Sequence, residues 1–436
     1  MFTDRPKEDT ANAHTEQASL SERIAAVVLR PSLFWLAFLL LNLLLFLPAY
    51  LLNQVDSSLL PPLAGGWSSQ ARQLLTWRHN LDPFRLSAEF TLLLGAWLLL
   101  PRLRKSRLRV PFLALLAFVY LLALLYAIYE NLSLSLYQED PLFYAQAQLI
   151  LEGLPFVLRH LSLAPAWVAA GALAILLALG GIVALLRLVT AERSAAALGV
   201  LSKTVLTALV FFILASFLFN GRALASPKSV VSCLTCKIGR NIDGSIASAA
   251  RVHNMQQIPL DQVYDYGDYA LLARPDIYLI FIESYGGMLY RRQLREPYLE
   301  LLEEVEQELA GEGWHASTIL SESPSWGGGS WMAYTSALFG LRLDTHPAYL
   351  ALMQRFADGS YPHLGNTLQE MGYEHARVTS IAVELDEEKW QQYRTFYGTD
   401  RWLRHRDLAY DGRHYGWGPA PPDQFVLNAA NPVSYT

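Results

Sequence analysis

The chain has 436 residues, 53% of them hydrophobic and 17% charged, with a net charge of −5. Soluble domains carry about 25% charged residues, and the apolar surplus is concentrated in the first half, so the composition points to a membrane. The mild acidic balance, with no basic stretch interleaved with aromatics, excludes nucleic acid as a partner.

Residues 1–29 open with a polar stretch containing Pro6 and mixed charges. It is too polar for the core of a signal peptide and reads as a cytoplasmic tail. Residues 30–221 read as a transmembrane domain with five apolar runs, at about 34–52, 86–101, 110–129, 164–186 and 204–219. A crossing needs about 20 apolar residues. The second run is the shortest, and a re-entrant segment is its alternative reading. Lysine and arginine set the orientation. Arg23 and Arg30 precede the first run; Arg102, Arg104, Lys105, Arg107 and Arg109 follow the second; Arg187, Arg193 and Lys203 follow the fourth. Arg72, Arg78 and Arg85 in the first loop fit less well. The expectation is a cytoplasmic N-terminus, five spans, and an extracytoplasmic remainder.

Residues 222–272 read as a linker, helical around Ala247–Met255. It holds the two cysteines, Cys233 and Cys236. One CxxC pair cannot complete a four-ligand zinc site. A local disulfide, two idle thiols or a redox pair remain, the last without the βαβ context such pairs usually have. An extracytoplasmic location permits the disulfide.

From residue 273 to 436 the pattern changes. DIYLIFI, 276–282, is a continuous apolar run that reads as a buried parallel strand. YLELLEEVEQELAGEG reads as a helix stopped by Gly311 and Gly313. HASTIL, 315–320, and HARVTS, 375–380, read as further strands, with MAYTSALFG, AYLALMQRFA and YPHLGNTLQEMGY as helices between and around them. The alternation predicts an α/β domain with a mostly parallel sheet.

Ligands of open α/β sheets sit at strand carboxyl ends. Glu283 closes the first strand, as a cap of the next turn or as a ligand. Ser330 follows three glycines at the start of a helix, as an ordinary N-cap or as a hydroxyl placed where Gly329 and its neighbours expose backbone N–H groups to an anion. Trp326, Trp331 and Tyr285 either line that place as a sugar-stacking wall or pack inward.

In their order and spacing, RPDIYLIFIESY at 274–285, GGGSWMAYTSALFGL, LGNTLQEMGYEHARVTS, FYGTDRW and YGWGPAPPDQFVL resemble the sulfatase and alkaline-phosphatase superfamily over about 274–428. With a five-span anchor in front, the chain resembles lipoteichoic acid synthases and phosphoglycerol transferases. The resemblance implies an alkaline-phosphatase-like fold and one divalent metal ion (Mn²⁺, Mg²⁺ or Zn²⁺) held by Glu283 and Ser330. It also implies Ser330 as a nucleophile that takes a phosphate-ester headgroup from a membrane phospholipid and passes it to an envelope glycan or polymer. Trp326, Gly329, Trp331 and Arg394 would touch the substrate, Arg394 in place of the family's Trp-Asn-Arg arginine. The family's Asp-His-Gly segment has no counterpart, so the resemblance implies a catalytic domain continuing past Thr436. The Cys/Ser-x-Pro-x-Arg signature of sulfuric ester hydrolases is absent after Ser330, where Trp331-Met332-Ala333-Tyr334 stands. The competing expectation is a catalytically degenerate membrane protein that binds envelope lipid or glycan, or scaffolds a partner.

Overall fold

The computed structural model describes residues 9–53, 59, 65–105, 107–160, 164–192, 198–257, 259, 270–282, 286–325, 329–380, 386–415 and 420–430. The chain divides into two compact units, Met1–Ala247 and Ser248–Thr436.

The first unit is a helical bundle. Among its helices are α1 (Asp9–Leu52), α2 (Ala88–Leu99), α3 (Arg109–Tyr137), α4 (Pro165–Thr190) and α5 (Val200–Asn220). Among the described residues four helical segments are long and apolar enough to cross a membrane: Pro31–Leu52, Arg109–Tyr137, Pro165–Thr190 and Val200–Ala225. The chain is therefore a multi-pass membrane protein. The second apolar run becomes α2, only 12 residues long, or roughly 18 Å against a hydrocarbon core of about 30 Å.

α2 is nonetheless the centre of the bundle. It packs on α3, α4 and α5, while α1 packs on α3 and α4. Phe90, Leu94 and Trp97 are fully buried. The Phe90 ring lies 5.9 Å from Phe38 of α1 and 5.3 Å from Tyr120 of α3, and the Tyr120 hydroxyl donates to the Leu41 carbonyl at 2.8 Å. Gly95 allows α5 to approach, since a Cβ there would meet Val210 Cγ2 at 2.6 Å.

Contacts mark the two ends of the bundle. At one end Trp35 donates to Ser202, Trp97 donates to the Thr190 carbonyl, and Arg109 pairs with Glu192 at 2.7 Å. At the other end Asn53 donates to Asn131, Lys237 pairs with Glu130, and Arg240 pairs with Asp140. α2 runs from the second end towards the first. Its shortness follows from a polar cap that dips into the second end.

That cap joins residues 76–87 to 226–235. β1 (Leu86–Ser87) pairs in parallel with β2 (Val231–Ser232), and Trp77 bridges to Ser229. The Ser87 N–H donates to Asn42 Oδ1 at 3.0 Å, and Asn42 lies roughly 15 Å of helix rise before Leu52. Irregular backbone at membrane depth is tolerated only when protein buries it and satisfies its polar groups. Arg85 does much of this, donating to the carbonyls of Asn80, Asp82, Pro227 and Ser229. Arg78 pairs with Asp82, and Arg85 is buried beside the same carboxylate. Two of the three arginines that fit the orientation poorly are thus internal structural cations.

Helix α6 (Leu234–Gln257) starts in this cap and continues across the boundary between the two units. It contains the helix expected around Ala247–Met255.

The second unit holds α7 (Arg295–Gly311), α8 (Ser330–Phe339), α9 (His346–Arg355), α10 (Leu364–Glu370), β3 (Ala376–Val378), α11 (Glu387–Phe396), β4 (Arg401–Leu403) and α12 (Asp423–Ala430). The helices read at YLELLEEVEQELAGEG, MAYTSALFG and AYLALMQRFA are present, and of YPHLGNTLQEMGY the part Leu364–Glu370 is helical. The parallel sheet is not. Among the described residues each of the two sheets has two strands; the one in this unit is β3 paired in parallel with β4. The segments 276–282 and 315–320 belong to no strand, and their apolar side chains are exposed. The expected alkaline-phosphatase-like α/β architecture is therefore corrected to a helix-dominated unit with one short strand pair. An apolar run states a tendency to extend, but not which neighbour supplies the ladder. Here the side chains meet rings instead: Tyr278 lies against Trp314 and Phe281 near Tyr334.

The core of this unit is aromatic. Phe339 stacks on Tyr361, His363 and Phe396 with centroids 4.6–4.9 Å apart. Tyr361 donates to the Phe339 carbonyl, and Asn366 Nδ2 donates to the carbonyls of Gly359 and Tyr361, each at 2.9 Å.

Candidate functional site

Gly329 shapes the start of α8. Its φ of +121° belongs to glycine, and a Cβ there would meet Met332 Cε at 2.8 Å. The Met332 N–H and the Ser325 hydroxyl both donate to the Gly329 carbonyl. Ser330 is the first helical residue and is half-buried. Trp331 packs edge-on against His346 at 5.8 Å. Glu283 and Trp326 lie outside the described residues.

The expected divalent metal is not supported. Among the described residues no group of three His, Cys, Asp or Glu side chains converges as a metal site would require. The imidazoles have other work. His363 Nδ1 accepts the N–H groups of Gly365 and Asn366 as the N-cap of α10. His375 Nδ1 faces the Gly398 carbonyl, and His405 faces His414. Burial lowers His363 to about 4, helped by His375 and Arg377. His375 is lowered as well, chiefly by burial.

Residues that the sequence did not single out meet around the strand pair. Register places Arg377 of β3 opposite Trp402 of β4. The Arg377 guanidinium carbon lies 4.1 Å from the Tyr397 ring, 4.8 Å from Trp402 and 4.9 Å from Tyr334. Each such cation–π contact contributes about 0.5–2 kcal/mol, more when water is excluded. This cage ties α8, α11 and the strand pair together. No local pattern announces it, because its rings come from three separate segments.

Beside the cage, α11 and β4 enclose a cleft of about 430 Å³ lined by Glu387, Trp390, Gln391, Arg394, Arg401, Trp402, Arg404 and neighbouring residues. Trp390 and Trp402 form an edge-to-face pair at 5.1 Å. The charges come as pairs: Arg404 binds Glu387 at 3.1 Å, and its backbone N–H donates to Asp407. Arg394 is the one sequence candidate in this lining. Its Nε donates to the Thr399 carbonyl at 3.0 Å and its Nη2 to the Asp400 carbonyl, which fixes the turn between α11 and β4. Arginine and carboxylate lining groups are balanced, so the cleft presents donors, acceptors and the partly exposed Trp402 indole, with Trp390 buried behind it, without a net field.

In comparison with known proteins, the chain matches no family model, no curated protein and no solved structure. The resemblance to the sulfatase and alkaline-phosphatase superfamily is not upheld. It rested on the order of short motifs, and two of the three strands those motifs imply have no ladder partner among the described residues.

Proposed function

We propose that this multi-pass membrane protein binds an envelope glycan through the cleft between α11 and β4, on the extracytoplasmic side. The carrying observation is the cleft's chemistry. Pockets of about 300–1,000 Å³ with aromatic walls and a few placed polar groups suit small ligands, and 430 Å³ falls in that range. Indole faces match the C–H faces of sugar rings, while guanidinium–carboxylate pairs offer the alternating donors and acceptors that hydroxyls require. The charge balance favours a sugar over an anionic headgroup.

The sidedness rests on charge and thiols. The end of the bundle holding Arg102, Arg104, Lys105, Arg107 and Arg109 is the basic one, hence cytoplasmic. The opposite end carries α6 and the Cys233–Cys236 disulfide, a bond that persists in oxidising compartments. With α2 as a crossing, the bundle makes five passes and the second unit follows from the extracytoplasmic end.

The test is binding of neutral and acidic envelope oligosaccharides to the full chain in nanodiscs, read by tryptophan fluorescence. Trp402→Phe keeps a ring over Arg377 but shortens the sugar platform. It is expected to weaken binding about tenfold, or about 1.4 kcal/mol. Equal binding by wild type and variant, or binding only to vesicles of anionic phospholipid, overturns the reading.

A further inference from the structure

We propose that Cys233–Cys236 is a thiol–disulfide exchange site that controls the start of α6, with Cys236 the sulfur that an external thiol attacks. The disulfide joins the N-cap of α6 to its third helical residue. The unpaired N–H groups of this first turn are all accounted for. Those of Leu234 and Thr235 donate to the Glu89 carboxylate at 3.0 and 2.9 Å. That of Cys236 donates to Cys233 Sγ at 3.0 Å, and that of Lys237 to the Cys233 carbonyl at 3.1 Å.

The two sulfurs are not equivalent. Cys233 is fully buried in a cluster with Ala88, Ile213, Leu224 and Val231, whereas Cys236 packs on that cluster only partly buried. An incoming thiolate therefore reaches Cys236. It forms a new S–S bond to Cys236 Sγ and breaks the bond to Cys233, which leaves with the electron pair as a thiolate. That sulfur already accepts the Cys236 N–H at the start of α6. A second thiolate then attacks the mixed disulfide at its own sulfur and releases Cys236 as a thiolate. The external dithiol or thiol pair is oxidised to a disulfide as the protein disulfide is reduced to two thiols.

The structural consequence follows from what the bridge holds. Two non-bonded sulfurs need more room than a disulfide, and Cys233 is fully buried. The first turn must move, and with it the two groups that grip it: Glu89 on α2 and Glu130, which pairs with the adjacent Lys237. The exchange site stands at the start of α6, which runs on to Gln257.

The experiment uses the full chain in nanodiscs. Dithiothreitol followed by native alkylation is expected to add two alkyl groups per chain. Glutathione is expected to be trapped on Cys236 in preference to Cys233, as read by fragment-ion mass spectrometry. Amide hydrogen exchange over residues 234–247 is expected to rise on reduction, and to be equally high without reductant in Cys233→Ser/Cys236→Ser. Alkylation only after denaturation, trapping on Cys233, or unchanged exchange in the reduced wild type would overturn the proposal. The wild-type measurements decide it even if the double variant fails to fold.

Discussion

His363 shows how one side chain converts position into a pH response. Its Nδ1 accepts two backbone N–H groups at the start of α10, so the proton of the neutral ring sits on Nε2, which is buried without a partner. A second proton would have to displace the cap. Burial, with His375 and Arg377 nearby, lowers the group from 6.5 to about 4. The unfolded chain thus binds a proton near pH 6.5 that the folded chain refuses until about pH 4. The stabilisation is complete above pH 6.5 and declines as pH falls through this window, by roughly 3 kcal/mol at most. His363→Asn retains an N-cap acceptor without the titration. Thermal unfolding of the wild type is expected to shift downward between pH 6.5 and pH 4, and that of the variant to shift much less. Equal slopes would show that the protons are taken up elsewhere. The buried N-cap is not visible in the sequence, because capping depends on where the preceding turn leaves the ring.

At the scale of elements, α2 and the cap above it carry the argument. The sequence marked the second apolar run as the weakest and left open whether it crosses. What it could not contain is the reason: residues 76–87 and 226–235 fold down together, so a 12-residue helix suffices. That pairing spans more than a hundred residues of chain and rests on Arg85, whose charge pointed the other way in a loop-by-loop count. The helices of the second unit were legible because their apolar periodicity is local. The sheet was misread because ladder partners are not local. The same logic gives a test for the top of the bundle. Glu130 and Lys237 are both buried and pair at 2.5 Å. Removing one partner leaves a buried charge alone and costs about 3–5 kcal/mol, whereas replacing both with apolar groups costs far less. Lys237→Met is expected to lower the midpoint of thermal unfolding in detergent sharply, and Glu130→Leu/Lys237→Met to recover most of the loss. A double variant no better than the single one would mean that the surrounding asparagines, not the ion pair, hold α3 to α6.

For the whole molecule the decisive quantity is the number of crossings, because parity assigns the second unit to one side. Four segments are long enough by themselves, and four crossings from a cytoplasmic N-terminus would leave residues 248–436 in the cytoplasm. Five place them outside, where both a glycan ligand and a persistent disulfide belong. In the proposed topology α2 is the fifth crossing, beginning beside the β1–β2 cap and ending near Thr190. Burial of α2 among α3, α4 and α5 removes the usual objection to a short span, since its backbone and side chains face protein instead of lipid. Single-cysteine variants at exposed positions test each step in spheroplasts with a membrane-impermeant maleimide. Ser68→Cys and Glu308→Cys are expected to react in intact spheroplasts, and Arg102→Cys only after permeabilisation. If Ser68→Cys and Arg102→Cys react from the same side, α2 does not cross. If Glu308→Cys reacts only after permeabilisation, the second unit is cytoplasmic, and the glycan reading and the oxidising environment of Cys233 and Cys236 are lost together.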